Sequence, residues 1–197
     1  MPMTVSKTRD MLVDVARQLF ARMGVDNTTM NDIAQASRKG RRTLYTYFKS
    51  KNEIYLAVVE SELDQLHKML VDVASKDLPA DEKLLTFIYS RLDAVKALVF
   101  RNGTLRATFF RDIWRVEKVR KRFDAKEIQL FKDVLREGVE KGVFQVDDID
   151  MTAELVHYSV KGIEVPYIRG HIGAKLTDET RGQYVENIVF GALRRKE

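Results

Sequence analysis

The sequence predicts an all-α protein. Hydrophobic residues recur at helical spacing along nearly all of the 197 residues, and no segment alternates apolar and polar side chains as a half-buried strand does. Three prolines and ten glycines are too few for a turn-rich β fold. No apolar run approaches the roughly 18 residues of a membrane helix, and the first residues lack the apolar stretch of a secretory signal. We therefore expect a soluble protein of the cytoplasm.

The first three predicted helices are short or moderate in length, and local sequence signals indicate where they lie. The buried face of the first is a stripe of Leu12, Val15, Ala16, Leu19, Phe20 and Met23. Gly24 then suits the left-handed residue that ends a helix. Thr29 and Asp32 have the spacing of a capping box, which predicts a second helix. After a turn at 37–40, residues 41–48 are predicted to form the third.

The helices predicted from residue 51 onward form a larger bundle. Ser50 and Glu53 give a second capping box before a long helix, in which apolar residues from Val59 to Val73 are spaced by four and three. This repeat is too short to favour a coiled coil over a bundle helix. Pro79 suits the first turn of the next helix. Further helices are predicted at about 80–100, 104–118, 122–141, 150–170 and 178–195. The last carries an apolar stripe of Val185, Ile188, Val189, Ala192 and Leu193.

The net charge of +5 is confined to the N-terminal quarter of the chain. Residues 1–50 contain nine lysines and arginines against four acidic residues, whereas residues 51–197 contain 25 of each kind. An uninterrupted basic cluster lies in the first segment and consists of Arg38, Lys39, Arg41 and Arg42. This asymmetry indicates a phosphate-binding segment attached to a neutral body.

The helix at 41–48 has the pattern of a DNA-recognition helix. Leu44 and Phe48 lie about 40° apart around the helix axis and form a buried face, while Arg42, Thr46 and Lys49 point the opposite way. Arginine bonds bidentately to guanine, and threonine offers a methyl or hydroxyl group to base edges. Tyrosine and lysine suit phosphates, which fix the register of the protein on the duplex. The order of the helices is that of a helix-turn-helix unit.

A set of N-terminal residues also has a specific spacing, notably from Gly24 to Ile33 and from Ile33 to Tyr45. The set comprises Ala16, Leu19, Phe20, Gly24, Thr28, Thr29, Ile33, Ala34, Thr43, Leu44, Tyr45, Tyr47, Phe48, Ser50 and Lys51. It resembles the tetracycline-repressor (TetR/AcrR) family of bacterial transcriptional regulators over residues 10–56, about a quarter of the chain. The family usually has Ala-Gly-Val-Ser in its turn, whereas this chain has Ser37-Arg38-Lys39-Gly40. We therefore expect Gly40 to supply the positive φ of the turn.

The resemblance implies a three-helix helix-turn-helix head, residues 1–50, followed by an effector-binding body, residues 51–197, that dimerises through its last two helices. It also implies a sequence-specific transcriptional regulator, not an enzyme, and without a cofactor. The expected action is repression, relieved when a small effector releases the homodimer from a near-palindromic operator. The candidate DNA-contacting residues are Thr29, Arg38, Lys39, Arg41, Arg42, Thr43, Tyr45, Thr46, Tyr47, Lys49 and Lys51. Because Arg42 replaces a glycine typical of the family, the operator is expected to differ from those of relatives.

The body contains a concentration of aromatic residues between positions 87 and 131. The candidate effector-binding residues are Phe87, Tyr89, Phe109, Phe110, Trp114 and Phe131. Such a group predicts an apolar or aromatic effector if it lines a pocket, with Tyr89 and Trp114 as polar handles. The alternative is that these rings fill the core.

Two other functional classes explain parts of the sequence. A helical protein-interaction module accounts for the repeat at 59–73, but not for the location of the net charge. A carboxylate/histidine metal-binding bundle enzyme is suggested by Asp64-x-x-His67 and Glu154-x-x-His157, but no complementary glutamate pair is evident. The chain has no cysteine and no phosphate-binding glycine motif. No catalytic residue and no metal ligand is therefore predicted.

Overall fold

A computed structural model describes residues 3–101, 113–171, 191 and 193, and the side chains of 7–97, 118–171, 191 and 193. Its helices are α1 (Met3–Met23), α2 (Met30–Ala36), α3 (Arg41–Tyr47), α4 (Lys51–Ala74), α5 (Ala80–Arg101), α6 (Ile113–Glu140) and α7 (Ile149–Ile168). No β-strand occurs among these described residues, and the all-α prediction is confirmed. None of the described helices is long and apolar enough to span a membrane.

The C-terminal half differs from the predicted helix pattern in one respect. We predicted a break between about residues 118 and 122, but α6 runs without interruption from Ile113 to Glu140. No proline occurs in this helix, and its first glycine is Gly138 near the end, so nothing in the sequence breaks it. The predicted start at 104 and the predicted last helix lie outside the described residues, except for positions 191 and 193.

The chain divides into two compact units: residues 1–64 with 97–121, and residues 65–96 with 122–197. The predicted functional division at residue 50 stays a prediction. The first unit is built on the stripe of α1, in which Leu12, Ala16, Leu19 and Phe20 are buried. Its core also contains Ile33, Leu44, Phe48, Ile54 and Tyr55 from the next three helices. The three N-terminal helices therefore share one core with the start of α4.

Local hydrogen bonds define where these N-terminal helices begin. Thr29 and Asp32 form the predicted capping box of α2. The Ser50 hydroxyl accepts a hydrogen bond from the amide of Glu53 at 3.2 Å, and the Glu53 carboxylate accepts one from the amide of Lys49 at 2.7 Å. The Lys51 ammonium donates to the carbonyls of Val25 and Asp26 at 2.7 and 3.1 Å. This last contact fixes the start of α4 to the loop after α1.

The second unit has its own apolar core between α5, α6 and α7. Phe87 and Phe131 are fully buried, and their ring centroids lie 4.6 Å apart. Helix α5 begins directly after Pro79, whose carbonyl accepts the amide of Lys83 at 2.8 Å. The proline thus precedes the first turn instead of lying in it. Asp148 caps α7 by accepting the amide of Met151 at 2.9 Å.

Candidate nucleic-acid interface

The turn between α2 and α3 is closed by an arginine in the left-handed conformation. The amide of Lys39 bonds to the carbonyl of Ala34 and the amide of Arg38 to that of Gln35, each at 3.1 Å. These two bonds define a Schellman motif whose left-handed residue is Arg38, at φ 53°. The prediction that Gly40 supplies the positive φ is therefore wrong. Gly40 is extended, with φ −65°, and precedes the first residue of α3.

Helix α3 has the two faces that its sequence predicts. Leu44 is fully buried and Phe48 is 3% exposed, so this edge anchors the helix on the core of the first unit. The opposite side exposes Arg41, Arg42, Tyr45, Thr46 and Lys49. Thr43 and Tyr47 are half-buried at the two margins. The Arg41 guanidinium lies 6.0 Å from the ring centre of Tyr45, which keeps both side chains on the exposed face.

The basic side chains around this helix are available for phosphate contacts. Arg38, Lys39, Arg41, Arg42 and Lys49 are all exposed. Within the part of the chain that the structure describes, none of these five forms an ion pair. An unpaired, exposed cation releases counterions when it meets a phosphate, without first losing an internal partner. The turn and α3 thus present a continuous positive surface on a fixed scaffold.

Two other candidate DNA-contacting residues have structural partners. The Thr29 hydroxyl donates to the Asp32 carboxylate at 2.7 Å, and the Thr29 amide donates to the same oxygen at 2.8 Å. These bonds lower the pKa of Asp32 below its ordinary value. The Lys51 ammonium is directed to the loop carbonyls after α1, as described above. The contacts of Thr29 and Lys51 with DNA therefore stay predictions.

A short helix whose exposed face is basic, held on a core by two preceding helices, defines a helix-turn-helix protein. Residues 12–58 match the family model for bacterial regulatory proteins of the tetR family. The HTH-type transcriptional repressor KstR2 of Mycolicibacterium smegmatis is 26% identical over 98% of this chain and 93% of its own. Residues 12–58 therefore match the DNA-binding region of tetR-family regulators, and the chain as a whole is similar to a DNA-binding transcriptional repressor.

Solved structures of similar fold cover nearly the whole chain. The ketosteroid transcriptional regulator KstR2 of Mycobacterium tuberculosis has a TM-score of 0.58 at 24% identity and covers 95% of each chain. A transcriptional regulator from Cytophaga hutchinsonii has a TM-score of 0.74 at 19% identity, over 94% of this chain and 98% of its own. These similarities extend the all-α architecture beyond the residues of the family model.

The candidate effector-binding residues are only partly described. Phe87 and Phe131 pack against each other and are fully buried, as core residues are, while Tyr89 is half-buried. Phe109, Phe110 and the side chain of Trp114 lie outside the described residues. A separate open groove of about 570 Å³ in the second unit is lined by segment 145–148, one side of α7 and Leu193. Of the candidates that the structure describes, Phe87, Tyr89 and Phe131, none lines this groove.

One face of α7 exposes an apolar stripe. Met151, Leu155 and Tyr158 are 55%, 61% and 55% exposed, although all three are large. Their spacing of four and three residues places them in one row along the helix. Met151 and Leu155 also border the groove of the second unit. Exposed apolar surface concentrated in one row is typical of an interaction surface.

Sequence reasoning missed a buried charged cluster in the second unit. The Arg91 guanidinium of α5 bonds to the Glu127 carboxylate of α6 and lies 2.5 Å from that of Glu164 on α7. His157 is fully buried and faces Asp124 and Glu127 on α6, whereas its sequence neighbour Glu154 is exposed. The local signal was Asp124-x-x-Glu127, which places both carboxylates on one helix face.

The charges in this cluster shift the protonation of its members. Burial lowers the pKa of His157, but the neighbouring Asp124 and Glu127 carboxylates outweigh it and raise that pKa above its ordinary value. Burial raises the pKa of Asp124, and contacts with His157 and Lys161 bring it below its ordinary value. The cluster therefore stabilises a positively charged imidazole at His157 beside a negatively charged carboxylate at Asp124.

Proposed function

We propose that this regulator is a homodimeric repressor that reads a near-palindromic operator and is released from it by a small apolar or aromatic effector. Residues 1–50 form the DNA-binding head, and residues 51–197 form the effector-binding and dimerisation body. The observation that carries the proposal is the exposed, unpaired basic surface of the α2–α3 turn and α3. Such a protein acts in the cytoplasm, where its operator is.

The proposed contacts divide by chemistry. Arg42 and Thr46 lie on the outward side of α3 and contact base edges in the major groove. The remaining residues contact phosphates or fix the helix in the groove: Thr29, Arg38, Lys39, Arg41, Thr43, Tyr45, Tyr47, Lys49 and Lys51. Substitution in the first group changes base preference, whereas substitution in the second weakens binding to all duplexes.

The apolar stripe on α7 is proposed to pack against a second copy of the chain. Met151, Leu155 and Tyr158 are too large and too exposed for a face that stays in water. Closed homodimers have a two-fold axis, so the same stripe meets itself or its neighbours across the axis. Two heads related by this axis read two half-sites, which is why the operator is expected to be nearly palindromic.

The effector is proposed to be apolar because aromatic residues are concentrated in the body. The relative of known structure named above is described as a ketosteroid regulator, and ketosteroids are largely apolar molecules. The effector changes DNA affinity only by the difference between its own affinities for the two states of the repressor, typically about 1–3 kcal/mol.

Reversal of charge on α3 tests the proposed DNA interface. The double variant Arg41→Glu/Arg42→Glu is expected to lose measurable DNA binding, since it removes two phosphate- or base-contacting cations and adds two anions. The matched control is Lys68→Glu/Lys76→Glu, which makes the same change in net charge at two exposed lysines outside the head. Gel-shift or anisotropy assays on one duplex compare the two. Equal loss in both variants would indicate a general charge effect, and retention in the first would favour a protein-interaction module.

A further inference from the structure

Three side chains from α6 and α7 converge in the interior of the second unit. Asp124 and Glu127 lie one turn apart on α6, and His157 lies on α7. Their exposed fractions are 7%, 0% and 0%. One ligand atom from each lies within 4.8 Å of those of the other two. This is a metal-ligand combination, two carboxylates and an imidazole, in a place where polar groups are costly without a partner.

The atoms that face one another are without hydrogen bonds. His157 Nε2 lies 3.5 Å from Asp124 Oδ1, and His157 Nδ1 lies 3.8 Å from Glu127 Oε2. Among the described residues, neither ring nitrogen nor Glu127 Oε2 has a hydrogen-bond partner. Buried polar atoms are nearly always paired, so these unpaired atoms of His157 and Glu127 indicate a missing partner beside the imidazole.

The outer oxygens of both carboxylates are held by cations. Lys161 donates to Asp124 Oδ2, and Arg91 donates to Glu127 Oε1. Each carboxylate therefore has one oxygen fixed by a basic side chain and the other turned toward His157. Ligands of protein-bound metals are commonly oriented in this way by a second layer of hydrogen bonds.

The charge balance also favours a cation at this point. Asp124, Glu127 and Glu164 supply three negative charges, and Arg91 and Lys161 supply two positive ones. With a neutral imidazole, Arg91 alone contacts two of these carboxylates at once. Either a proton on His157 or a metal ion adds a further positive charge beside them. The contacts of 3.5 and 3.8 Å between the imidazole nitrogens and the carboxylate oxygens are long for charged hydrogen bonds, which favours the metal.

We propose that Asp124, Glu127 and His157 bind one divalent transition-metal ion in the core of the second unit. The imidazole nitrogen selects ions such as Zn²⁺, Co²⁺ or Mn²⁺ over Mg²⁺ and Ca²⁺, which prefer oxygen ligands alone. One ring nitrogen binds the ion together with one oxygen from each carboxylate, and these three ligand atoms lie within 4.8 Å of one another. Three protein ligands leave a coordination position for water or for an oxygen of a small molecule. Arg91 and Lys161 act as positioning residues.

Cobalt uptake by the untagged full-length protein tests this proposal without reference to DNA. Protein stripped with a chelator and then freed of it is titrated with Co²⁺, and bound metal is counted by elemental analysis. We expect one ion per protomer, with the visible absorption of a low-coordinate cobalt site, and its displacement by Zn²⁺. His157→Gln is expected to abolish that absorption, and Lys161→Met to weaken the affinity by about 10- to 100-fold.

Two controls separate this site from surface binding. Glu154→Gln removes an exposed acid next to His157 in sequence, and His171→Gln removes an exposed histidine, so both variants should take up cobalt like the original protein. Zn²⁺ should also raise the Tm of the original protein and not that of His157→Gln, which keeps the test valid if that variant is less stable. Absence of uptake by the original protein, or uptake unchanged by His157→Gln, would overturn the proposal. A His157 imidazole that titrates by NMR while no metal binds would assign the missing cation to a proton.

Discussion

Arg38 adopts the left-handed backbone conformation, whereas Gly40, two residues later, is extended and precedes the first residue of α3. The position of the left-handed residue is set by the last turn of α2, which ends at Ala36 with Ser37 as its cap. A residue other than glycine in this left-handed conformation is strained, because its Cβ approaches the following carbonyl oxygen. The arginine that bears this strain is also part of the exposed basic surface.

Replacement of Arg38 by glycine should therefore separate stability from DNA affinity. Arg38→Gly is expected to raise the free energy of unfolding by up to about 1 kcal/mol, since relief of strain exceeds the added chain entropy. It is also expected to weaken DNA binding and to reduce the log–log salt slope by about 0.9, because one phosphate contact is lost. Urea unfolding and salt-dependent anisotropy measure the two effects.

Gly40→Ser is the matched control for this turn. Gly40 has negative φ, and a Cβ added there meets no atom within 4 Å, so the variant should change stability by only a few tenths of a kcal/mol. If Arg38→Gly is less stable than the original protein, the claim that the backbone is strained at Arg38 is contradicted.

The capping box of α2 predicts a pH dependence of stability. The hydroxyl and amide of Thr29 lower the pKa of Asp32 in the folded state below the ordinary value of 3.8. The stabilisation is therefore complete above pH 3.8 and is lost as the pH falls through the lower folded-state pKa. Asp32→Asn should be less stable than the original protein near neutral pH, and the difference should shrink toward pH 2.

Urea midpoints measured from pH 2 to pH 7 test this expectation. Asp72→Asn, at an exposed position of α4, serves as a control for the loss of one surface charge. A difference between Asp32→Asn and the original protein that stays constant over this range would show that the carboxylate charge does not contribute.

The exposed stripe of α7 predicts how the proposed dimer can be broken. Leu155→Glu places a charge in the centre of the stripe, and in a two-fold interface it does so twice. Loss of about 1.5–3 kcal/mol of apolar burial for each leucine corresponds to a weakening of dimerisation by at least about 100-fold. Val71→Glu changes another exposed apolar residue, on α4, and should leave the dimer intact. Sedimentation velocity gives the mass, and a Leu155→Glu protein that stays dimeric would place the interface elsewhere.

Removal of Arg91 should be strongly destabilising. This side chain is 2% exposed and contacts two buried carboxylates, Glu127 and Glu164. Arg91→Met removes the guanidinium from both buried carboxylates and is expected to cost about 3–5 kcal/mol of folding free energy. Adding Glu164→Gln to Arg91→Met should recover part of that loss. Chemical denaturation of the three proteins measures it, and a double variant no more stable than Arg91→Met would contradict the coupling.

Sequence reasoning was most successful where the signal is local. The apolar stripe of α1, the capping box of Thr29 and Asp32, and the two faces of α3 all depend on residues within a few positions of one another, and the structure confirms them. The conformation of Arg38 was missed because it depends on which residue follows the final turn of α2, and sequence patterns locate helix ends only to within about 2–4 residues.

The buried cluster was missed for a different reason. Arg91 and Glu127 are 36 residues apart, and Lys161 and Asp124 are 37 apart. Their pairing is decided by the packing of three helices, which no spacing within one helix reveals. His157 was associated with Glu154 because the two are neighbours in sequence, whereas its side chain faces the adjacent helix.

DNA binding by the α3 surface is the central claim, and fluorescence anisotropy tests it most directly. The purified protein is titrated into the duplex upstream of its own gene and into a scrambled duplex of equal length, over a series of salt concentrations. We predict tight binding to the first duplex only, with a log–log slope of about −0.9 for each phosphate contacted. Arg42→Ala should reduce the preference between duplexes, while Lys49→Ala should weaken binding to both. No binding to either duplex at low salt would contradict the account.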